Sequence, residues 1–559
     1  MHPHRNGWQN RAMSPPRSVL IGILVIPWLA TALVATGWIG LPEDHVFSGF
    51  CQGDELVYTA KSLEIIEGGN RFTYGNPFSE DPDTPAVYVS LIFTAIGWIW
   101  RWTGIEPVWI LWGGRIVGGS IALALAWRLI RLCVGENPSA ARWCFYWVAL
   151  GSGLGWIFTS THGAMLELHR SFDPIFAGGG GEGLQLFGWL ADRVRPTVPK
   201  HYSPGIFTTI VHSYAAIYQA FFIATCLALA ERRRTAAVIL FTLTYWAHPW
   251  AGSMLLCLGG TFLAIELALE RDRADLVAGV LFALIGSVWL YYYTAFLNSI
   301  PEARLHAEQV RNPPYAWRTP TTYLPQYIGV WGTAILAPIV LLPMRGTWRR
   351  VLRSRAERLV VIWVLICFII LNNFRFLDSP LQPDQLGGRW LWLPLVILAT
   401  MSLIRFRPTP SRRALALMVL VSLPESARLS YDYFVRGVRH SRVLVRPTSM
   451  TAVVQAVSEL PGRRFVFADD PDIANVIVAH TPHRAYYSHW NETPHLIERQ
   501  ELLAHFAKAP SVSIPDSLGA ELWVLSTESA SRVSPNIAEL GTVLHRSNDY
   551  IVLERRPGP

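Results

Sequence analysis

VLIGILVIPWLATALVATGWIGL (Val19–Leu41) is an uninterrupted apolar run, and PEDHVFSGFCQGDELVY (Pro42–Tyr58) follows it directly with two adjacent carboxylates, Asp54 and Glu55. The first stretch is long enough to cross a bilayer as a helix. It follows Arg5, Arg11 and Arg17, is too long for a signal-peptide apolar segment and lacks a small-residue cleavage site, so it reads as a retained first span. The same pattern recurs along the chain. Of 559 residues, 51% are hydrophobic and 16% charged, and the apolar ones gather in blocks of roughly 15 to 25, the length of a spanning helix. The 24 Trp lie largely near the ends of these blocks, where an indole sits well between headgroup and acyl chain. The net charge of +8 arises mainly from Arg in short inter-block segments, which suits cytoplasmic loops and gives no support to nucleic-acid binding. The six Cys are scattered without metal-type spacing or an external pair.

Charge sets the topology. With the N-terminus inside, residues 42–86 lie outside, and this stretch carries nine acids against Lys61 and Arg71. Arg232, Arg233 and Arg234 mark one inner loop. Arg345, Arg349, Arg350, Arg353, Arg355 and Arg358 mark a second, and Arg405, Arg407, Arg412 and Arg413 a third. Spans are then expected near 205–229, 235–249, 251–269, 274–297, 326–344, 358–373, 389–405 and 413–425. Arg128, Arg131 and Arg142 favour the inside, so the blocks at 108–130 and 140–159 cross as well. Parity then requires that Ala86–Trp102 does not cross and lies instead in the outer interface. The reading is a polytopic α-helical membrane protein of about 11 transmembrane helices. It has a cytoplasmic N-terminus (1–18), a transmembrane domain (19–430) with its first external loop at 42–107, and a small extracytoplasmic C-terminal α/β domain (431–559). Within that tail the pattern predicts a helix near Met450–Leu460, a strand at Arg464–Ala468, a helix at Leu496–Lys508, a strand at Leu522–Ser526 and a closing hairpin of Val543–Arg546 with Tyr550–Glu554.

Outward segments are where chemistry is expected. Asp54 and Glu55 sit just ahead of an amphipathic stretch, Leu56–Glu67, close to the membrane. A carboxylate near low-dielectric lipid is raised in pKa unless a cation offsets the lost water, so such a pair makes a poised base, a metal ligand or simply a helix N-terminus. The acidic, proline-rich link Tyr74–Pro85 follows. The second loop (160–204) holds His162, Glu167, His169, Asp173 and Glu182, with Lys200 and His201 before the next span; neither a zinc-protease pattern nor a P-loop is present. His248, in Tyr245–Trp250, ends a span at Pro249 and reads as a phosphate contact or an interfacial cap. Arg375 and Arg389 flank the fourth loop, and the planar guanidinium fork suits phosphoryl oxygens.

Together, the first span, the acidic loop with Asp54-Glu55, the interfacial block, the many spans and the external α/β tail resemble the C-type glycosyltransferase (GT-C) superfamily over the whole chain. Gly53–Tyr58 with Gly75-Asn76-Pro77-Phe78 is similar to the first loop of large bacterial membrane glycosyltransferase-like families. Pro482–Thr493 is similar to their Gly-His-Trp-x-Glu-Thr stretch, with Ser488 standing where Gly is usual. The resemblance implies a polyprenyl-phosphate-linked sugar as donor, a glycan, lipid or protein acceptor, and a bacterial-type inner membrane. It implies Asp54 as base, assisted by Glu55, and Arg375, Arg389, His248, Tyr58, Lys200 and His201 as substrate contacts. A divalent cation, Mg or Mn, serves some members, with Glu55, Glu167 and Asp173 as the candidate ligands here. A lipid phosphate is already a good leaving group, so one carboxylate suffices where glycoside hydrolysis needs two. Two other readings keep the same architecture: a transporter or flippase, and a non-catalytic binder of lipid-linked glycans in the envelope.

Overall fold

A computed structural model describes residues 14–68, 71–79, 81, 84–135, 137–152, 206–311, 332–335, 354–373, 389–406, 412–431, 437–489 and 492–555. Among these residues five helices are long and apolar enough to cross a membrane: Arg17–Trp38, Pro107–Val134, Ser213–Ala230, Pro249–Glu270 and Arg273–Ser299. A shorter apolar helix covers Trp390–Arg405. The expected span at 326–344, apart from 332–335, lies outside the described residues, as does the second half of the block at 140–159. The chain divides into two compact units.

The first unit comprises Met1–Thr31, Gly114–Gly286 and Tyr315–Tyr433. It holds most of α1 (Arg17–Ala35), the greater part of a later helix that begins at Pro107, and the helices that follow. Small residues let these helices approach: a Cβ on Gly118 would lie 3.1 Å from the Ile217 backbone nitrogen, and one on Gly259 only 2.6 Å from the Phe282 ring. Aromatic rings fill the remaining space. Phe222 stacks on Trp390 at 4.0 Å and Phe241 on Phe282 at 4.2 Å.

One end of this unit is tied by charge. Arg355 donates to Glu266 (3.0 Å) and, through two nitrogens, to Asp275 (2.8 and 2.9 Å). Arg358 holds Glu266 and Glu270, Arg234 holds Asp272 and Asp275, Arg128 holds Glu231, and Arg405 holds Glu357. Representatives of all three arginine groups read from the sequence as inner-loop markers therefore meet at the same end of the bundle. Glu266, Asp275 and Arg355 are buried, where breaking a pair costs far more than a surface pair is worth.

The second unit comprises Ala32–Gly113, Ser287–Pro314 and Phe434–Pro559. Its parts are far apart in sequence. Strand β1 (His45–Phe47) pairs antiparallel with Val445–Pro447 of the tail. Helix α2 (Gly53–Glu67) begins after extended Gln52, and Glu55 reaches back to accept from the Cys51 N–H at 2.8 Å. The acids of its first turn also face the positive end of the helix dipole. Strands β2 (Thr73–Tyr74) and β3 (Tyr88–Val89) then pair, and Ser90 caps α3 (Leu91–Thr103), which ends at left-handed Gly104. At 13 residues α3 is too short to span a bilayer. One face packs on α2, where Gly97 lies against the Ser62 carbonyl, and the other exposes Ile99 and Trp102, the latter at 74%. Helix α4 (Pro107–Val134) starts beside an indole cluster of Trp38, Trp109 and Trp112, in keeping with tryptophan at block ends.

The tail contributes β4 (Val445–Pro447) and a five-stranded sheet in the order β6-β5-β7-β9-β8. The strands are β5 (Phe465–Ala468), β6 (Arg484–Ala485), β7 (Leu522–Ser526), β8 (Gly541–Arg546) and β9 (Tyr550–Arg555); β5 runs parallel to β6 and β7, and the last pairings are antiparallel. The helices at Thr448–Ser458 and Leu496–Lys508 and the closing hairpin stand where the sequence pattern placed them. The helix Pro471–His480 was not anticipated; it packs against α2. The tail thus shares a unit with the first loop instead of closing on itself.

Replacing Arg355 with Ala would leave Asp275 and Glu266 buried with one cation fewer each. The expected loss is about 3 kcal/mol, read as a lower melting temperature of the purified protein, whereas Arg304→Ala, an exposed pair with Glu308, should leave the melting temperature within error.

Candidate active site

Within the second unit, α2, the link after β2 and the loop following β6 come together around Asp54. Lys61, two turns along α2, donates to Glu492 at 2.9 Å, and His306 of the helix Pro301–Arg311 approaches the other Glu492 oxygen at 3.9 Å. His489 brings its Nε2 to 3.9 Å from the Asp54 Oδ1. Asn76 ties the loops: its Nδ2 donates to the Glu492 carbonyl at 3.0 Å and its Oδ1 accepts from the Phe78 N–H. Phe78 then lies 5.7 Å, ring to ring, from His489. A second clamp stands on Glu64, which binds Arg463 and Arg484, and Arg484 reaches on to the Asn76 carbonyl at 2.6 Å.

The three stretches that carry the sequence resemblance are therefore one place in space. Gly53–Tyr58 supplies Asp54, Gly75–Phe78 supplies Asn76, and Pro482–Thr493 supplies His489 and Glu492. Tyr58 stacks on Phe93 at 5.3 Å, and the Lys61 ammonium stands 5.8 Å from the centre of the same ring.

Electrostatics separates the two carboxylates. Burial works against ionising Glu492, but Lys61, His306 and His489 outweigh it and hold the group at about 2. For Asp54 the displaced water dominates and raises the carboxyl above its ordinary range; His489 and Lys61 oppose the rise, and Glu492 and Glu55 add to it. Half of the Asp54 side chain still opens to solvent. Burial lowers His306, with Glu492 pulling it back up. One acid is thus held as an anion while the neighbouring one is raised above its ordinary range.

Of the residues read from the sequence, Asp54 and Tyr58 are at this site. Glu55 is adjacent but buried, its carboxylate engaged with the Cys51 N–H. His248 belongs to the first unit, where it caps the helix Pro249–Glu270 by accepting from the Ala251 N–H and stacks on Tyr218 at 4.2 Å. Of its two readings, the cap is the one seen. Arg389 begins a helix, and nothing further of its side chain is described. Arg375, Lys200, His201, Glu167 and Asp173 lie outside the described residues. Lys61, His306, His489 and Glu492 were not singled out for chemistry. The local signals were a lone Lys among nine acids and the His-Trp-Asn-Glu-Thr stretch.

A divalent cation needs converging oxygen ligands. Around Asp54 stand the carboxylates of Glu492 and Glu55, the Lys61 ammonium, which is seated on Glu492, and the His489 imidazole. Among the described residues no group of three or more His, Cys, Asp or Glu forms a metal site. Of the three candidate ligands only Glu55 is described, and its carboxylate accepts from the Cys51 N–H.

The whole chain aligns with a solved structure of ArnT from Cupriavidus metallidurans bound to undecaprenyl phosphate, at a TM-score of 0.51 and 14% identity, over 95% of this chain and 98% of that one. The chain shares the fold of that structure. The oligosaccharyltransferase of Archaeoglobus fulgidus, tethered to an acceptor peptide, aligns at a TM-score of 0.47 and 12% identity over 94% of this chain and 72% of that one; the fold assignment rests on ArnT. No protein-family profile and no curated protein matches the sequence.

Lys61→Met should remove the nearest cation from Glu492 and destabilise the protein at pH 7 by roughly 1–3 kcal/mol. The depressed Glu492 contributes stability that is complete above its ordinary value of 4.5 and fades as pH falls towards 2. The melting-temperature gap between wild type and Lys61→Met should accordingly be widest near neutrality and narrow below pH 4.

Proposed function

We propose that the protein is a membrane glycosyltransferase that moves a sugar from a polyprenyl-phosphate carrier to an acceptor hydroxyl on the extracytoplasmic face, with Asp54 as general base. The observation that carries this reading is the division of labour at one site: Glu492 fixed as an anion by Lys61, and Asp54 raised and half open beside it. The GT-C fold supports it, since ArnT, the structural neighbour, was solved holding undecaprenyl phosphate.

The chemistry is a single displacement. Asp54 takes the proton from the acceptor hydroxyl as its oxygen bonds to the anomeric carbon, and the bond from that carbon to the phosphate oxygen breaks, releasing polyprenyl phosphate. The leaving group carries its own negative charge, so it needs cationic contacts and no proton. Arg375 and Arg389 are the residues proposed for those contacts, from the guanidinium's match to phosphoryl oxygens. Glu55 acts through position: capping α2 fixes the turn that presents Asp54. His248, Lys200 and His201 stay as sequence-based proposals for donor contacts, and Glu167 and Asp173 for a cation. Residues 19–430 are proposed as the membrane domain and 431–559 as the extracytoplasmic tail, with the N-terminus in the cytoplasm.

Asp54→Asn keeps the shape and removes the base, so transfer should fall 10²-fold or more. Incubation of the purified protein in detergent with a panel of polyprenyl-phosphate sugars, scored by released polyprenyl phosphate, measures this. Full activity in the variant would remove the base assignment. In wild type the rate should fall as acid protonates Asp54, with the midpoint above the ordinary carboxylate range because the group's pKa is raised.

A further inference from the structure

The His489 side chain is 5% exposed, and its backbone is fixed from two directions. The fully buried Thr493 hydroxyl accepts from the N–H groups of His489 (3.0 Å) and Ser488 (3.3 Å), and the Thr493 N–H donates back to the His489 carbonyl at 3.2 Å. Phe78 stands beside the ring, itself placed by Asn76. A side chain so constrained presents one edge in one direction, and that edge is Nε2, 3.9 Å from the Asp54 Oδ1. This is ion-pair range and longer than a direct hydrogen bond.

Asp54 is otherwise faced by Lys61 and Glu55 from its own helix and by Glu492 from the His489 loop; His306 acts on it only through Glu492. Lys61 is committed to Glu492. Among these groups His489 is the one cationisable side chain within 4 Å of the carboxylate.

We infer that His489 is the positioning residue of Asp54: its fixed Nε2 edge orients the carboxylate through Oδ1 and leaves the solvent-facing oxygen to receive the acceptor proton. The inference rests on the transferase reading for its catalytic meaning and on geometry for the coupling itself. Thr493 and Asn76 act one step further out, by holding the imidazole. Glu492, held by Lys61 and His306, keeps the loop in place.

The coupling is read without turnover. Full-length wild type, His489→Gln and His489→Lys in detergent are labelled with a water-soluble carbodiimide and an amine across pH, and the Asp54 peptide is quantified by mass spectrometry. The Asp54 midpoint should rise by about one pH unit in His489→Gln and return in His489→Lys, and the acid limb of the pH–rate profile should move with it. An unmoved midpoint in His489→Gln overturns the inference. Should that variant not fold, the reciprocal test applies: in Asp54→Asn, imidazole C2 hydrogen–deuterium exchange should report a lower midpoint for His489 than in wild type, and an unchanged midpoint overturns the inference equally. Failure of the transferase reading would show separately, as no polyprenyl phosphate released from any donor by wild type.

Discussion

The Lys61–Glu492 ion pair joins residues 431 positions apart, and the order of the candidate site depends on it. Partly buried charges are stable only when paired, so this bond fixes which part of the tail lies over α2. Once Glu492 is there, its carbonyl receives Asn76, its loop delivers His489, and its negative charge helps raise Asp54. The Glu64 clamp on Arg463 and Arg484 reinforces the same register from the next turn of the helix. A single helix of modest hydrophobicity is consequently buried on most of its surface by α3 and the helix Pro471–His480, with Lys61 and Glu64 paired to charges of the tail.

The two units solve the same problem differently. In the first, Glu266 and Asp275 sit at helix ends in an arginine knot, which stitches those ends together. In the second, the pairs are spread around one helix, and the contact of Asp54 with His489, at 3.9 Å, is longer than a direct hydrogen bond. Saturated pairs favour rigidity, and the unsaturated carboxylate is where a proton can move.

Much of this was legible in the chain. Apolar block length, Arg placement and the Asp54-Glu55 pair ahead of an amphipathic stretch rest on local rules, and the block at Ala86–Trp102 holds a helix of 13 residues. In the tail, period and turn residues located two helices and four strands. The helix Pro471–His480 was missed because Ile473–Ala479 is rich in β-branched residues; Asp470 as cap, its carboxylate accepting from the Asp472 N–H, and Pro471 in the first turn were the available signal. Strand β6, two residues long, has no periodicity to read. The roles of Lys61, His306 and Glu492 were hidden for a different reason. They are defined by partners hundreds of residues away, which no local pattern reveals.

The most direct test of a base at Asp54 acting in one displacement is the anomeric configuration of the product, followed by NMR from a polyprenyl-phosphate sugar of defined anomer. A base that activates the acceptor on the face opposite the departing phosphate gives inversion, and the account predicts an inverted product from wild type. A retained product would mean a covalent glycosyl intermediate, with Asp54 or another group as nucleophile, and would contradict the account.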